Sequence, residues 1–140
     1  PEHRINMLKL SIEGVSYFDC TDYEIKKQGV SYSIDTLKEM KRHYDDIEMI
    51  VGEDNIMTFD QWKSPEEIFN IAAIIVLRRK LDENTQCDNN YIRRAIFLET
   101  PRIDISGTEI RERVKKGLPV NFLVPQNVLK YINDTNLYKV

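Results

Sequence analysis

The sequence predicts an α/β fold in which helices flank a parallel sheet. Two observations carry this prediction. Ala73-Ile74-Ile75-Val76-Leu77 is an unbroken apolar run of strand length, as in a strand buried on both faces of a parallel sheet. Segments rich in strand-forming residues also alternate with segments whose apolar residues recur at helical spacing. The 140 residues fit a single domain, 1–140, with one core.

Ile5, Leu8 and Ile12 predict an amphipathic helix over residues 3–13, with Gly14 as its stop. Val15 to Ile25 is rich in β-formers and reads as a strand running into a loop. Gln28-Gly29 is turn chemistry. Ile34, Leu37 and Tyr44 give a second helix, with Ser33 as N-cap and Asp35 in its first turn. Ile47 to Val51 is a short strand ending at Gly52-Glu53-Asp54, followed by helical stretches around Met57–Trp62 and Pro65–Ile71. Beyond the 73–77 strand, residues 82–90 read as a loop, 91–95 as a short helix and 96–99 as a strand. A helix over 106–116 ends at Gly117 and Pro119, and Val124-Pro125 opens the last helix, with Val128, Leu129 and Ile132 facing inward.

Composition narrows the function. A formal charge of −3 argues against a broad nucleic-acid surface. No apolar run reaches the roughly 18 residues of a membrane span. Cys20 and Cys87 have no CxxC spacing and read as reduced thiols, and two histidines cannot assemble a His-rich metal centre.

Several segments carry candidate chemistry. Ser106 and Glu109 have capping-box spacing, so a helix begins there with free N–H groups, and Arg111 lies one turn in, able to fork onto phosphate oxygens. Gly52 allows close backbone approach after a strand, and Asp54 could accept bonds from ribose hydroxyls. Trp62, the only tryptophan, sits among polar neighbours where an indole can stack on a flat heteroaromatic ring. Ser31-Tyr32-Ser33 opens a helix whose N–H groups could receive a carboxylate. Arg78-Arg79-Lys80 follows the buried strand, where it could meet phosphate. Each also has a plain reading as a cap, a turn, core packing or a solvated charge run.

Their order is more specific than any one of them. The chain resembles bacterial nicotinate mononucleotide adenylyltransferases through His3-Arg4-x-x-Met7-Leu8-x-Leu10, Ser31-Tyr32-Ser33-x-Asp35-Thr36-Leu37, Gly52-x-Asp54, Trp62 and Arg79. The same resemblance continues in Ile105-Ser106-x-Thr108-x-Ile110-Arg111-x-Arg113 and Val124-Pro125-x-x-Val128-x-x-Tyr131-Ile132, with Leu137-Tyr138 at the end. It implies a Rossmann-like nucleotidyltransferase fold. It also implies transfer of AMP from ATP to nicotinate mononucleotide, giving deamido-NAD and pyrophosphate, in the cytoplasm. On that resemblance Trp62 stacks on the pyridine ring and the backbone near Tyr32 and Ser33 receives the nicotinate carboxylate. Gly52 and Asp54 hold ribose, and Ser106, Thr108, Arg111 and Arg79 serve the ATP side. Mg²⁺ enters with ATP, held by phosphates and water rather than by a protein metal site.

The partners expected are ATP and nicotinate mononucleotide, with no nucleic acid or membrane, and with homo-oligomerisation left open. The sequence departs from the family at Ser33 for a usual threonine, Gly107 for serine or alanine, and Lys63 for a frequent tyrosine. None of the residues matches the family's front His-x-x-His segment, so the domain is expected to be incomplete at its N-terminus, with a strand-helix unit missing. These 140 residues alone are expected to be inactive although the complete protein is an enzyme. The alternatives are a noncatalytic nucleotide-binding remnant and an adenylyltransferase for nicotinamide mononucleotide.

Overall fold

The computed structural model describes residues 2–78, 89–101 and 103–139. The chain forms two compact units, one of Pro1–Lys26 with Ile103–Val140 and the other of Lys27–Arg102.

The second unit contains the sheet. Its order is α3 (Ser33–Met40), β1 (Glu48–Gly52), α4 (Glu53–Met57), a 3-10 turn (Phe59–Gln61), α5 (Pro65–Ile71), β2 (Ala73–Arg78), α6 (Asn90–Arg94) and β3 (Ile96–Glu99). The strands lie in the order β1-β2-β3 and both pairings are parallel. The register sets Val51 against Val76 and Val76 against Phe97. On this face Val51, Ile74 and Val76 join Ile34, Leu37, Ile56, Phe59 and Ile68 from the helices in one apolar core. Alternation puts Ile50, Ile96 and Leu98 on the opposite face, where all three are exposed. The 73–77 strand is therefore where the apolar run predicts it, with Ile74, Ile75 and Val76 buried. The expected helix over 57–62 lies elsewhere. The chain turns helical directly after Gly52, and residues Phe59–Gln61 form only a 3-10 turn.

The first unit comprises α1 (Glu2–Ser11), α2 (Tyr23–Lys27), which ends at the unit's boundary, α7 (Gly107–Lys115) and α8 (Gln126–Asp134). Its core is Val114, Val120, Val128 and Ile132, with Met7 and Leu10 packed against it. The inward face of α1 is thus Met7 and Leu10 rather than the expected Ile5, Leu8 and Ile12, and Leu8 is half-exposed. Gly117 ends α7 at φ +67°: its N–H reaches the Val114 carbonyl and the Leu118 N–H the Arg113 carbonyl, a Schellman closure.

The expected strand over 15–25 is not formed. The Phe18 N–H bonds the Val15 carbonyl, the Cys20 N–H bonds Asp19 Oδ1, and the Tyr23 N–H bonds Thr21 Oγ1. These local bonds take N–H groups that a ladder would need, and α2 begins at Tyr23. Tyr17 and Phe18, counted as β-formers, are exposed and pack on each other at 4.9 Å.

Candidate functional site

Three local constructions hold the candidate residues, two in the sheet-bearing unit and one in the helical unit.

The first is the start of α3. Tyr32, not Ser33, is the N-cap: its backbone is extended, its carbonyl accepts from the N–H groups of Asp35 at 3.0 Å and Thr36 at 3.4 Å, and Ser33 is the first helical residue. The Tyr32 side chain makes no capping hydrogen bond. Asp35 lies in the first turn, but its Oδ2 is taken by Lys27 Nζ at 2.6 Å. Lys63 Nζ stands 3.9 Å from the same oxygen and 4.2 Å from the centre of the Tyr32 ring, a cation–π position. The hydrogen bond from Lys27 lowers the Asp35 pKa below its ordinary value, against partial desolvation, and the charges of Lys27, Lys63 and Lys38 add to the effect.

Trp62 precedes Lys63, so the lysine brings Trp62, Tyr32 and the start of α3 into one neighbourhood. The indole is half-buried and stacks on Phe59 at 4.7 Å and 21°. Phe59 is fully buried and also touches Phe69 at 5.3 Å and Tyr91 at 5.5 Å. One side of Trp62 thus rests on a rigid aromatic cluster while part of the ring stays accessible. Both readings of Trp62, packing and stacking platform, are served by this position. Ser64 follows in the left-handed region at φ +52°, and Pro65 then starts α5.

The second construction is the carboxyl end of β1, the edge where parallel sheets bind ligands. A Cβ on Gly52 would sit 2.5 Å from Asp54 Oδ1, so the glycine leaves the space into which the Asp54 carboxylate folds. Between them is Glu53, which the sequence did not single out. Its side chain is 11% exposed; Oε1 lies 3.5 Å from Arg78 Nε, and Oε2 is buried with no hydrogen-bond partner among the described residues. Arg78, the last residue of β2, sets its guanidinium 4.9 Å over Phe97. Arg79 and Lys80 lie outside the described residues.

The third is the start of α7. Ser106 is the N-cap, and its Oγ accepts from the Glu109 N–H at 3.1 Å, as the capping-box spacing predicts. Arg111 Nη2 donates to Thr108 Oγ1 at 2.9 Å. A Cβ on Gly107 would meet Arg111 Nη1 at 3.1 Å, so the guanidinium lies back over the first turn in space the glycine keeps open. Ser106, Thr108 and Arg111 therefore form one exposed cradle of hydroxyls, helix N–H groups and a fixed cation.

The structure sets Lys63, the chain neighbour of Trp62, over Tyr32 at the start of α3, and brings Gly52 together with Asp54 and Ser106 with Thr108 and Arg111, the last group in the other unit. Among the described residues no group of three or more His, Cys, Asp or Glu is placed to hold a metal ion. No described helix is long and apolar enough to cross a membrane.

Comparison with known proteins adds a separate line. Residues 1–113 match the cytidylyltransferase-like family. A protein of Borrelia garinii subsp. bavariensis named "Probable nicotinate-nucleotide adenylyltransferase" is 36% identical over 139 residues, which cover 98% of this chain and 68% of that one. A Borreliella burgdorferi protein of the same name is 37% identical over 138 residues, covering 97% and 69%. The solved structure of Plasmodium falciparum nicotinic acid mononucleotide adenylyltransferase complexed with NaAD superposes with a TM-score of 0.67 at 20% identity, covering 99% of this chain and 74% of that one. At that identity the likeness is one of fold, and with the parallel sheet it bears out the expected Rossmann-like nucleotidyltransferase architecture.

Proposed function

Because the chain belongs to the cytidylyltransferase-like family, among the nicotinate-nucleotide adenylyltransferases, we propose that its residues serve the transfer of AMP from ATP to nicotinate mononucleotide in NAD biosynthesis. In this reaction a phosphate oxygen of the mononucleotide forms a bond to the α-phosphorus of ATP. The bond from that phosphorus to the bridging oxygen breaks, and pyrophosphate leaves with the electron pair. Such a transfer needs positioning and charge neutralisation rather than a protein nucleophile.

The observation that carries the reading is the α7 cradle: Arg111 is held over a capped helix start by Thr108, as a phosphate fork requires. Ser106, Thr108 and Arg111 bind ATP phosphates, Arg79 is assigned to ATP by the sequence resemblance alone, and Gly52 and Asp54 hold ribose at the end of β1. Trp62 stacks on the pyridine ring, and the start of α3 at Tyr32 and Ser33 receives the carboxylate. Mg²⁺ supplies charge neutralisation as it enters with ATP, bound by phosphates and water; no described residue cluster is offered as its site. A cytoplasmic location accompanies this reading, since ATP is the donor.

The test is discrimination between acid and amide. A charge-assisted bond contributes about 1.5–3 kcal/mol, so kcat/KM for nicotinate mononucleotide should exceed that for nicotinamide mononucleotide by roughly one to two orders of magnitude. Equal values would remove the carboxylate role from the α3 start, and a preference for the amide would reassign the substrate.

A further inference from the structure

We propose that Lys63 is a specificity-determining residue whose ammonium group pairs with the carboxylate of the acceptor mononucleotide. The inference rests on the acceptor subsite proposed above and adds to it a side-chain charge beside the backbone donors.

Lys63 directly follows Trp62, the ring on which the pyridine is proposed to stack. Its Nζ is carried back over Tyr32, 4.2 Å from the ring centre, at the residue that caps α3. A carboxylate attached to a stacked pyridine ring extends in the ring plane, a few ångströms from the stacking residue, which is the reach of the neighbouring lysine side chain.

The charge balance of the cluster supports the same assignment. Among the described residues Asp35 is the acid that Lys27 and Lys63 share, and an uncompensated carboxylate there would repel an anionic substrate. Lys27 holds that carboxylate at 2.6 Å, whereas Lys63 stands at 3.9 Å, the outer limit of an ion pair. Lys27 therefore holds Asp35, and among the described residues two cations, Lys27 and Lys63, stand at this one carboxylate, with Lys63 the farther. Lys38, whose charge also acts on Asp35, is engaged with Glu67 at 2.8 Å. The Lys63 side chain is 49% exposed, so a ligand can reach it without displacing core residues. Its resting contact with the Tyr32 ring is weak enough to be exchanged for a carboxylate and strong enough to keep the ammonium near the helix start.

The experiment is a titration of the protein with nicotinate and nicotinamide mononucleotides, followed by the fluorescence of Trp62, the sole tryptophan of this sequence. Lys63→Met, which keeps the length and removes the charge, should weaken binding of the acid about five- to twentyfold and change binding of the amide less than about twofold. Lys63→Arg should restore most of the acid affinity. Raising the salt from about 0.05 to about 0.5 M should weaken acid binding in the parent protein more than in Lys63→Met, because only the parent retains the screened pair. Equal losses for acid and amide, or no loss for either, would overturn the role of Lys63 while leaving the acceptor subsite intact. A parent protein whose Trp62 signal responds to neither mononucleotide would instead defeat the subsite itself, and this inference with it.

Discussion

The starts of α3 and α7 are both exposed helix N-termini, yet they are built differently. At α7 a serine hydroxyl satisfies one of the free N–H groups, and a guanidinium lies over the rest of the turn. At α3 the N-cap tyrosine's side chain makes no capping bond, the first-turn acid is neutralised by a lysine, and a second lysine stands over that tyrosine. The difference matches two kinds of anion. A polyphosphate carries several charges and many acceptors, so it is matched by a fixed fork in addition to N–H groups. A single ring carboxylate carries one charge and two oxygens, and helix N–H groups with one nearby cation suffice for it. The α3 region is also backed by a packed core through Trp62 and Phe59, whereas α7 turns only Val114 fully inward.

That asymmetry of support predicts the largest effect. Phe59 is fully buried and joins Trp62, Phe69 and Tyr91. Phe59→Ala should cost about 3–5 kcal/mol in urea unfolding. It should also loosen Trp62 and weaken mononucleotide binding more than ATP binding. A loss below about 1 kcal/mol would mean that the cluster does not support the α3 region as described.

Separating the two anion sites kinetically comes next. In the active enzyme Arg111→Ala should lower kcat/KM for ATP about ten- to a hundredfold, from the loss of charge-assisted bonds of about 1.5–3 kcal/mol. Trp62→Ala should act on the mononucleotide by a similar factor, since a base-type stack contributes about 1–3 kcal/mol. Varying each substrate in turn reads the split. If both variants affect the same substrate, the contrast between the two helix starts does not map onto two ligands.

The α7 half of this comparison was more legible in the sequence than the α3 half, for a local reason. Ser106-x-x-Glu109 encodes its cap within four residues, and the expected hydroxyl bond is present. The start of α3 depends on Lys27 and Lys63, distant in sequence, occupying Asp35 and Tyr32; spacing alone favoured Ser33 as the cap. Glu53 escaped notice because its burial and its contact with Arg78 exist only once β1 and β2 are paired. The apolar run of β2 was readable because both faces of a central strand select the same residue types. Residues 15–25 were misread because β-propensity reflects packing that this segment does not find, while Asp19 and Thr21 bond the nearby backbone.

A smaller effect tests the caps directly. Ser106→Ala removes a capping bond and should cost about 0.5–2 kcal/mol of stability. Ser33→Ala removes no cap and should stay within about 0.5 kcal/mol. Parallel urea unfolding of the two variants decides the matter. Equal costs would place a cap at Ser33 after all, and would weaken the case that the α3 N–H groups are kept for a ligand.

The smallest effect is the pH dependence of the α3 cluster. Lys27 holds the Asp35 pKa below its ordinary value of 3.8, against partial desolvation, with Lys63 and Lys38 adding their charges. A lowered pKa means that the folded state binds fewer protons than the unfolded chain in this range, so stability rises with pH there. The contribution is fully present above the ordinary value, fades as the pH falls from 3.8 through the lowered folded value, and is gone below it. Glu66, lowered from 4.5 chiefly by the Arg94 hydrogen bond, adds a loss of the same sign beginning slightly higher. Both are exposed pairs screened by solvent, which is why their effect ranks last. Urea midpoints of the parent and Asp35→Asn should differ by a constant amount from about pH 7 to about pH 5 and converge as the pH falls further. A gap that widens towards low pH would have the wrong sign for a carboxylate stabilised by lysines. A gap unchanged across the whole range would show that Asp35 acts through its shape rather than its charge, and the charge balance that supports the role of Lys63 would lose its basis.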